Sequence, residues 1–257
     1  MIINKSDIRL EIPITPKDKI VSLIAKLKPY HTNIELIRLG PKSDGGYLVP
    51  NDLEDIKACF SPGVDQVSEF ENDCYERGMK LFLADKSVIK PNLSLPQDNY
   101  SFLKKFVGCT TNEDFITMDE WVDKSEIDEK SDLLLQMDIE GGEYFTLINT
   151  SDSLMKQFRI IVIEFHNLQL FWNHEFFKMN ETIFNKILQT HTCVHIHPNN
   201  CCGMDTRLDV DIPRVAEFTF LRNDRIKQKS LQKNFPHKLD YDNTANPHIA
   251  LPKNWYN

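Results

Sequence analysis

No stretch of this 257-residue chain approaches the roughly 20 consecutive apolar residues of a membrane-spanning helix, so a helical span is excluded. The opening residues Met1 to Arg9 hold no long apolar segment and quickly become mixed polar, so no signal peptide is expected and the cytoplasm is the expected compartment. The six cysteines, at 59, 74, 109, 193, 201 and 202, make no regular disulfide framework. Cys59 and Cys109 lie in apolar surroundings and are expected to be reduced core residues, while Cys201-Cys202 has no CxxC partner, which argues against structural zinc. The formal charge of −8 argues against a general binder of nucleic acid or anionic membrane. No internal repeat emerges, and a full GxGxxG is absent.

What is present suits one large α/β domain with modest additions. The expected organisation is an N-terminal helical extension over 1–34, a main domain over 35–225 and a C-terminal extension over 226–257 whose polar, irregular sequence reads as an exposed tail. Thr15-Pro16-Lys17-Asp18 predicts a helix start, with Thr15 as cap and Ile20, Leu23, Ile24 and Leu27 on the packed face. A second helix is predicted over 179–188, with Ile183, Phe184, Ile187 and Leu188 inward.

The chain converges on Asp132 to Glu143. Leu133, Leu134 and Leu135 suit a strand buried on both faces, and Asp138 and Glu140 arrive where that run ends. If the strand persists, the two carboxylates point the same way, and Gly141-Gly142 then lets the backbone turn into a helix. Ligands of open α/β sheets collect beyond such strand ends.

Earlier segments supply a partner for this site. An apolar strand at 56–60 gives way to Ser61-Pro62-Gly63, and a second strand, Met79 to Ala84, ends at Asp85, 22 positions after Gly63. That spacing matches strand, loop, helix and strand units in which a carboxylate accepts the ribose hydroxyls of a nucleotide cofactor. Upstream, Arg38 and Asp44-Gly-Gly-Tyr47 read either as a loop carrying Arg38, Asp44 or Tyr47 over a ligand, or as a hairpin-like connection whose glycines meet backbone constraints. The Pro- and Asn-rich segment 90–101 reads as a surface connection.

Downstream, the β-branched run Ile160 to Ile163 delivers Glu164 and His166 at another strand end. Cys193 to Pro198 forms a further strand carrying His195 and His197, followed by Asn199 and Asn200. Val215 to Leu221 supplies one more, with an antiparallel edge pairing expected. His166 titrates near neutrality and is the preferred general base, with Asp138 orienting it or binding an acceptor hydroxyl and Glu164 shaping the same polar site. The amides of Asn199 and Asn200 suit a polyhydroxyl ligand, and equally suit a turn. Asp138, His166, His195 and His197 offer nitrogen and oxygen donors to a divalent metal, though alternating histidines also serve a polar strand face without one.

At Asp138-Ile-Glu140-Gly-Gly-Glu143, followed by Ile163-Glu164-Phe165-His166, the sequence resembles the FkbM-like class I S-adenosylmethionine-dependent methyltransferases. Asp44-Gly-Gly-Tyr47, Phe60-Ser61-Pro62-Gly63 and Thr117-Met118-Asp119-Glu120-Trp121 fit the same group, so the likeness covers roughly residues 35–221. The resemblance implies a Rossmann-like, mostly parallel seven-stranded sheet with an antiparallel strand. It places Gly63 on the cofactor loop, Asp85 at the cofactor ribose, and Asp138 and Glu140 on the acidic motif after the fourth strand. Gly142 stands where a small residue is more usual, and Pro62 departs from the family's glycine-rich loop.

The expected activity is therefore S-adenosylmethionine-dependent O-methylation of a sugar hydroxyl, in a surface glycan or a nucleotide-sugar, with Asp138 shared between cofactor and acceptor. Arg38, Asp44, Tyr47, His197, Asn199 and Asn200 are the expected acceptor contacts. Two other readings stand open: a non-enzymatic glycan-binding domain, and an NAD-dependent oxidoreductase.

Overall fold

Seven strands hydrogen-bond side by side in one sheet: β1 (Ala58–Pro62), β2 (Lys80–Ala84), β3 (Tyr100–Leu103), β4 (Leu133–Met137), β5 (Phe158–Phe165), β6 (His191–Pro198) and β7 (Ala216–Arg222). They belong to a computed structural model that describes residues 13–64 and 67–257. The expectation about Met1 to Arg9 lies outside those residues.

The spatial order is β6-β7-β5-β4-β1-β2-β3. β7 runs antiparallel to both neighbours, and every other pairing is parallel. The result is a mixed, mostly parallel sheet with flanking helices, a Rossmann-like α/β arrangement. The chain crosses over at the β4-β1 junction, and the carboxyl ends of β1, β2, β4 and β5 open on one edge, where ligands of such sheets bind.

Alternation along each strand divides the core. Leu133, Leu135, Met137, Ile161, Ile163 and Phe165 face α1 (Lys17–Leu27), α3 (Met118–Asp123), α4 (Glu143–Asn149), α5 (Asp152–Gln157) and α6 (His174–Thr190). Leu134, Ile160 and Val162 face the other side, with α2 (Glu69–Glu76) and an antiparallel hairpin of Leu36–Leu39 and Tyr47–Pro50. On this second face the interior turns polar toward the strand ends, through Ser61, Gln136, Glu164, Glu217 and Thr219. Thr219 Oγ1 donates to the Leu48 carbonyl at 2.7 Å and fastens the hairpin over it.

Several expectations are corrected. Thr15 does not cap α1: its hydroxyl is buried without a hydrogen bond, and its N–H donates to the Trp172 carbonyl. The helix over 179–188 begins five residues earlier, because Asn173 Oδ1 accepts from Phe176 N at 3.0 Å and caps it. The surface connection ends at Asn99, since Tyr100 already starts the edge strand of the sheet. Cys109 is exposed rather than buried, and Cys201 and Cys202 are joined as a vicinal disulfide.

The exposed tail is the largest revision. Lys229–Leu231 pairs with Tyr30–Thr32, and Leu251 and Trp255 are buried. A few large apolar side chains anchor the segment while its polar ones find partners inside, so low hydrophobicity did not mean exposure. Among the described residues no helix is long and apolar enough to cross a membrane.

Candidate active site

The turn out of β1 passes so close to the end of β4 that only glycine fits. Gly63 holds φ +87°, and a Cβ there would stand 1.5 Å from the Asp138 carbonyl oxygen. Its N–H donates to the Ala84 carbonyl, which ties β1 to the end of β2. There Asp85 Oδ2 accepts from Val64 N at 3.1 Å, while Oδ1 accepts from the N–H and hydroxyl of Ser87, both at 2.6 Å. A carboxylate thus shapes the backbone on both sides of a cavity of about 480 Å³.

The cavity is walled by Gly63, Asp85 and Ser87, by Asp138 to Glu140, and by the rings of Phe106 and Phe115. Those rings lie 5.5 Å apart and stay partly exposed at its mouth. They sit on Phe106–Gly108 and Phe115–Thr117, two short parallel strands. Nothing in the sequence reading marked them as site residues; two phenylalanines nine positions apart carry no motif, and their pairing depends on the tertiary path.

Beyond Asp138 the chain leaves the strand, so alternation does not bring the two acids together. β4 ends at Met137, and Glu140 takes a positive φ of 54° in the turn that follows. Glu143, fully buried at the start of α4, organises that turn. Its Oε1 accepts from Ile139 N (3.2 Å), Gly141 N (3.1 Å) and His166 Nδ1 (3.0 Å). With Nδ1 donating, the Nε2 lone pair of His166 is free. It faces Glu140 at 3.4 Å, Glu164 at 3.5 Å and Asp138 at 3.8 Å. In the sequence Glu143 is only the last acid of a motif, and its contact with a residue 23 positions away cannot be read locally.

Four carboxylates around one imidazole strain the local electrostatics. Burial pushes Asp138 up to about 7, with Glu140, Glu143 and Asp44 adding to the rise and His166 opposing it. Burial, and then the charges of Asp138 and Glu217, push Glu164 well above the usual carboxylate range, although Asn199 Nδ2 donates to both its oxygens. For His166 burial lowers proton affinity, but the Glu143 hydrogen bond and the surrounding acids outweigh it and raise the pKa. A carboxyl group poised near 7, as Asp138 is, suits proton exchange at physiological pH.

The remaining expected residues divide. Asp44 reaches the cavity and accepts from Asn243 Nδ2 at 3.1 Å. Tyr47 is buried, its hydroxyl accepting from Gln136 Nε2 at 3.3 Å. Arg38 is turned inward: its guanidinium donates to the carbonyls of Pro41, Ser43 and Leu239 and stacks over Tyr241. The amide of Asn200 is fully engaged with Thr244 and Asn246. His195 and His197 do not join His166. His195 Nε2 lies 2.8 Å from Asp240 Oδ1 and His197 Nδ1 lies 3.7 Å from Oδ2, so the four-residue metal cluster suggested by sequence separates into two groups. Among the described residues the group able to hold an ion is Asp138, Glu140 and His166.

Residues 64–190 match the family model described as the Methyltransferase FkbM domain. No curated protein matches the chain. The matched span starts one residue after Gly63, takes in Asp85, Asp138, Glu143, Glu164 and His166, and stops where α6 ends. Together with the Rossmann-like sheet, the match supports S-adenosylmethionine-dependent methyltransferase function.

Proposed function

We propose that the protein transfers the methyl group of S-adenosylmethionine to a hydroxyl oxygen of a sugar, in a glycan or a nucleotide-sugar. The observation that carries this reading is one continuous site: the Gly63 and Asp85 cradle meets, at Asp138, the acids that surround His166. The antiparallel strand inserted near the end of a seven-stranded sheet accords with the same reading.

The residues present fit the donor. Gly63 gives a backbone approach that no side chain blocks, Asp85 offers acceptors at a strand end for the ribose hydroxyls, and Phe106 and Phe115 offer faces for the adenine ring. When bound, the donor supplies a methyl group already activated on a sulfonium, so the C–S electron pair leaves with sulfur as the acceptor oxygen attacks carbon. The chain's own task is to align the acceptor, exclude water and receive the hydroxyl proton. His166 takes that proton at Nε2, because Glu143 holds Nδ1 as a donor and the charge gained is met by Asp138, Glu140 and Glu164. Asp138, at the junction, orients the acceptor hydroxyl. Asn199, through Glu164, and Asp44 supply polar edges suited to further hydroxyls.

The test is to incubate purified protein with S-adenosylmethionine and a panel of free, nucleotide-linked and polymeric sugars and to measure S-adenosylhomocysteine. Acceptor-dependent product is expected. Glycan binding with no donor binding would favour a binding domain, and copurified NAD would favour an oxidoreductase.

A further inference from the structure

We propose that His166, Asp138 and Glu140 bind one divalent cation of the Mg²⁺ or Mn²⁺ class, with Glu164 beside it and Glu143 behind it. Binding of the ion stands on its own geometry; its part in catalysis rests on the methyl-transfer reading above.

The donor atoms of the three residues lie within 4.8 Å of one another. His166 Nε2 stands 3.4 Å from Glu140 Oε2 and 3.8 Å from Asp138 Oδ1. Ligands on a common ion at about 2.1 Å, at right angles, are separated by about 3 Å, so Nε2 must close on Glu140 by about 0.4 Å and on Asp138 by about 0.8 Å. Rotation of the exposed Glu140 side chain closes the first of these gaps, and a small shift of the imidazole closes the second.

Two features point to an ion rather than to an ordinary acidic turn. Asp138 Oδ1, the oxygen that faces the imidazole, is buried and has no hydrogen-bond partner. Glu143 accepts from Nδ1, the arrangement in which a second carboxylate fixes a metal-binding histidine's tautomer and aims its other nitrogen at the metal. Two carboxylate oxygens and one imidazole form a hard, oxygen-rich donor set that leaves coordination positions open toward the cavity.

The ion changes one step of the reaction. With Nε2 engaged as a ligand, the acceptor hydroxyl coordinates the open position, where the cation lowers its pKa. The hydroxyl proton is released to solvent as the oxygen forms its bond to the methyl carbon, and sulfur keeps the C–S pair. Glu164 Oε1 lies 3.5 Å from Nε2.

The experiment titrates chelator-treated full-length protein with MnCl₂ or MgCl₂ alone, by calorimetry and by Mn²⁺ electron paramagnetic resonance. One saturable site is expected. Glu140→Gln should weaken it at least tenfold, and Glu143→Gln about 10- to 100-fold through the histidine; circular dichroism and thermal melts establish that both variants are folded. Asp209→Asn, an exposed acid elsewhere, should leave binding unchanged. Absence of saturable binding at millimolar ion, or binding indifferent to both Glu140→Gln and Glu143→Gln, overturns the proposal. The two readings fail separately: an ion that binds a protein inactive on every acceptor leaves the site standing without the reaction. Full methyl transfer in chelator removes the ion and leaves His166 as base.

Discussion

Gly63 and Asp138 touch backbone to backbone: the position a Cβ would take on Gly63 is 1.5 Å from the Asp138 carbonyl oxygen. Two strand ends that carry the donor cradle and the acidic cluster are thereby locked together. Gly63→Ala must displace one of them, on top of roughly 1–2 kcal/mol for left-handed backbone in a residue with a Cβ. Gly78 is the internal control, because it has φ +83° but nothing within 4 Å of its Cβ position. Urea denaturation should show Gly78→Ala losing about 1–2 kcal/mol, with Gly63→Ala losing distinctly more and binding S-adenosylmethionine far less well. Equal losses would mean the contact is not tight.

Asp85 accepts on both oxygens, from Val64 on one and from Ser87 on the other. Asn in its place turns an NH₂ group toward one of these donors whichever way the amide is flipped. A charge-assisted hydrogen bond contributes about 1.5–3 kcal/mol, so Asp85→Asn should weaken donor affinity about 10- to 100-fold in equilibrium dialysis. Unchanged affinity would remove Asp85 from the donor site.

A pH effect on stability arises far from the cavity. His191 is buried, with Nε2–H donating to the Phe158 carbonyl and Nδ1 accepting from Thr190 Oγ1. Burial pushes its pKa down to about 4 from 6.5, with nearby Arg222 contributing in the same direction. Between those values the unfolded chain binds a proton that the folded chain excludes, so stability falls as pH drops through the window, by about 3 kcal/mol in total. Carboxylates raised by burial, such as Glu164 and Glu217, act in the opposite sense, so the measurement is a difference. Denaturation at pH 7.5 and 5 should show a smaller acid loss in His191→Gln than in the parent protein.

The sheet was legible because its strands are short apolar runs ended by Gly, Pro or acid, as at Leu133 to Asp138 and Ile160 to Glu164. A continuous apolar run is a local signal, and so is the spacing of Gly63 and Asp85. What local pattern could not supply was partnership. His195 and His197 read like companions of His166, but their partner is Asp240, 45 and 43 positions on, in a segment whose composition resembles a loose tail. Glu143 and His166, or Phe106 and Phe115, likewise gain their meaning only when loops meet across the sheet edge.

That C-terminal segment yields the last prediction. Asp240 is buried between the two histidines, and although burial opposes ionisation, His195 and His197 hold its carboxylate well below the ordinary range. The raised pKa of His197, where burial is outweighed by the nearby Asp240 carboxylate and the Glu217 charge, is the other half of the same pairing. The histidine's share of the stability is present below 6.5 and lost as pH rises through its folded pKa, while the aspartate's is present above 3.8 and lost as pH falls below it, so the tether is strongest in mildly acidic solution. Asp240→Ala leaves buried donors without their acceptor and should cost about 3 kcal/mol. The same segment carries Asn243, which donates to Glu217 at 2.7 Å and to Asp44 at the cavity wall. Loosening it should therefore raise the acceptor KM more than the donor Kd, and hydrogen exchange should quicken at Asn243 and Thr244 before it does in β4. Equal exchange at both places would show that Asp240 supports the whole sheet rather than this strap.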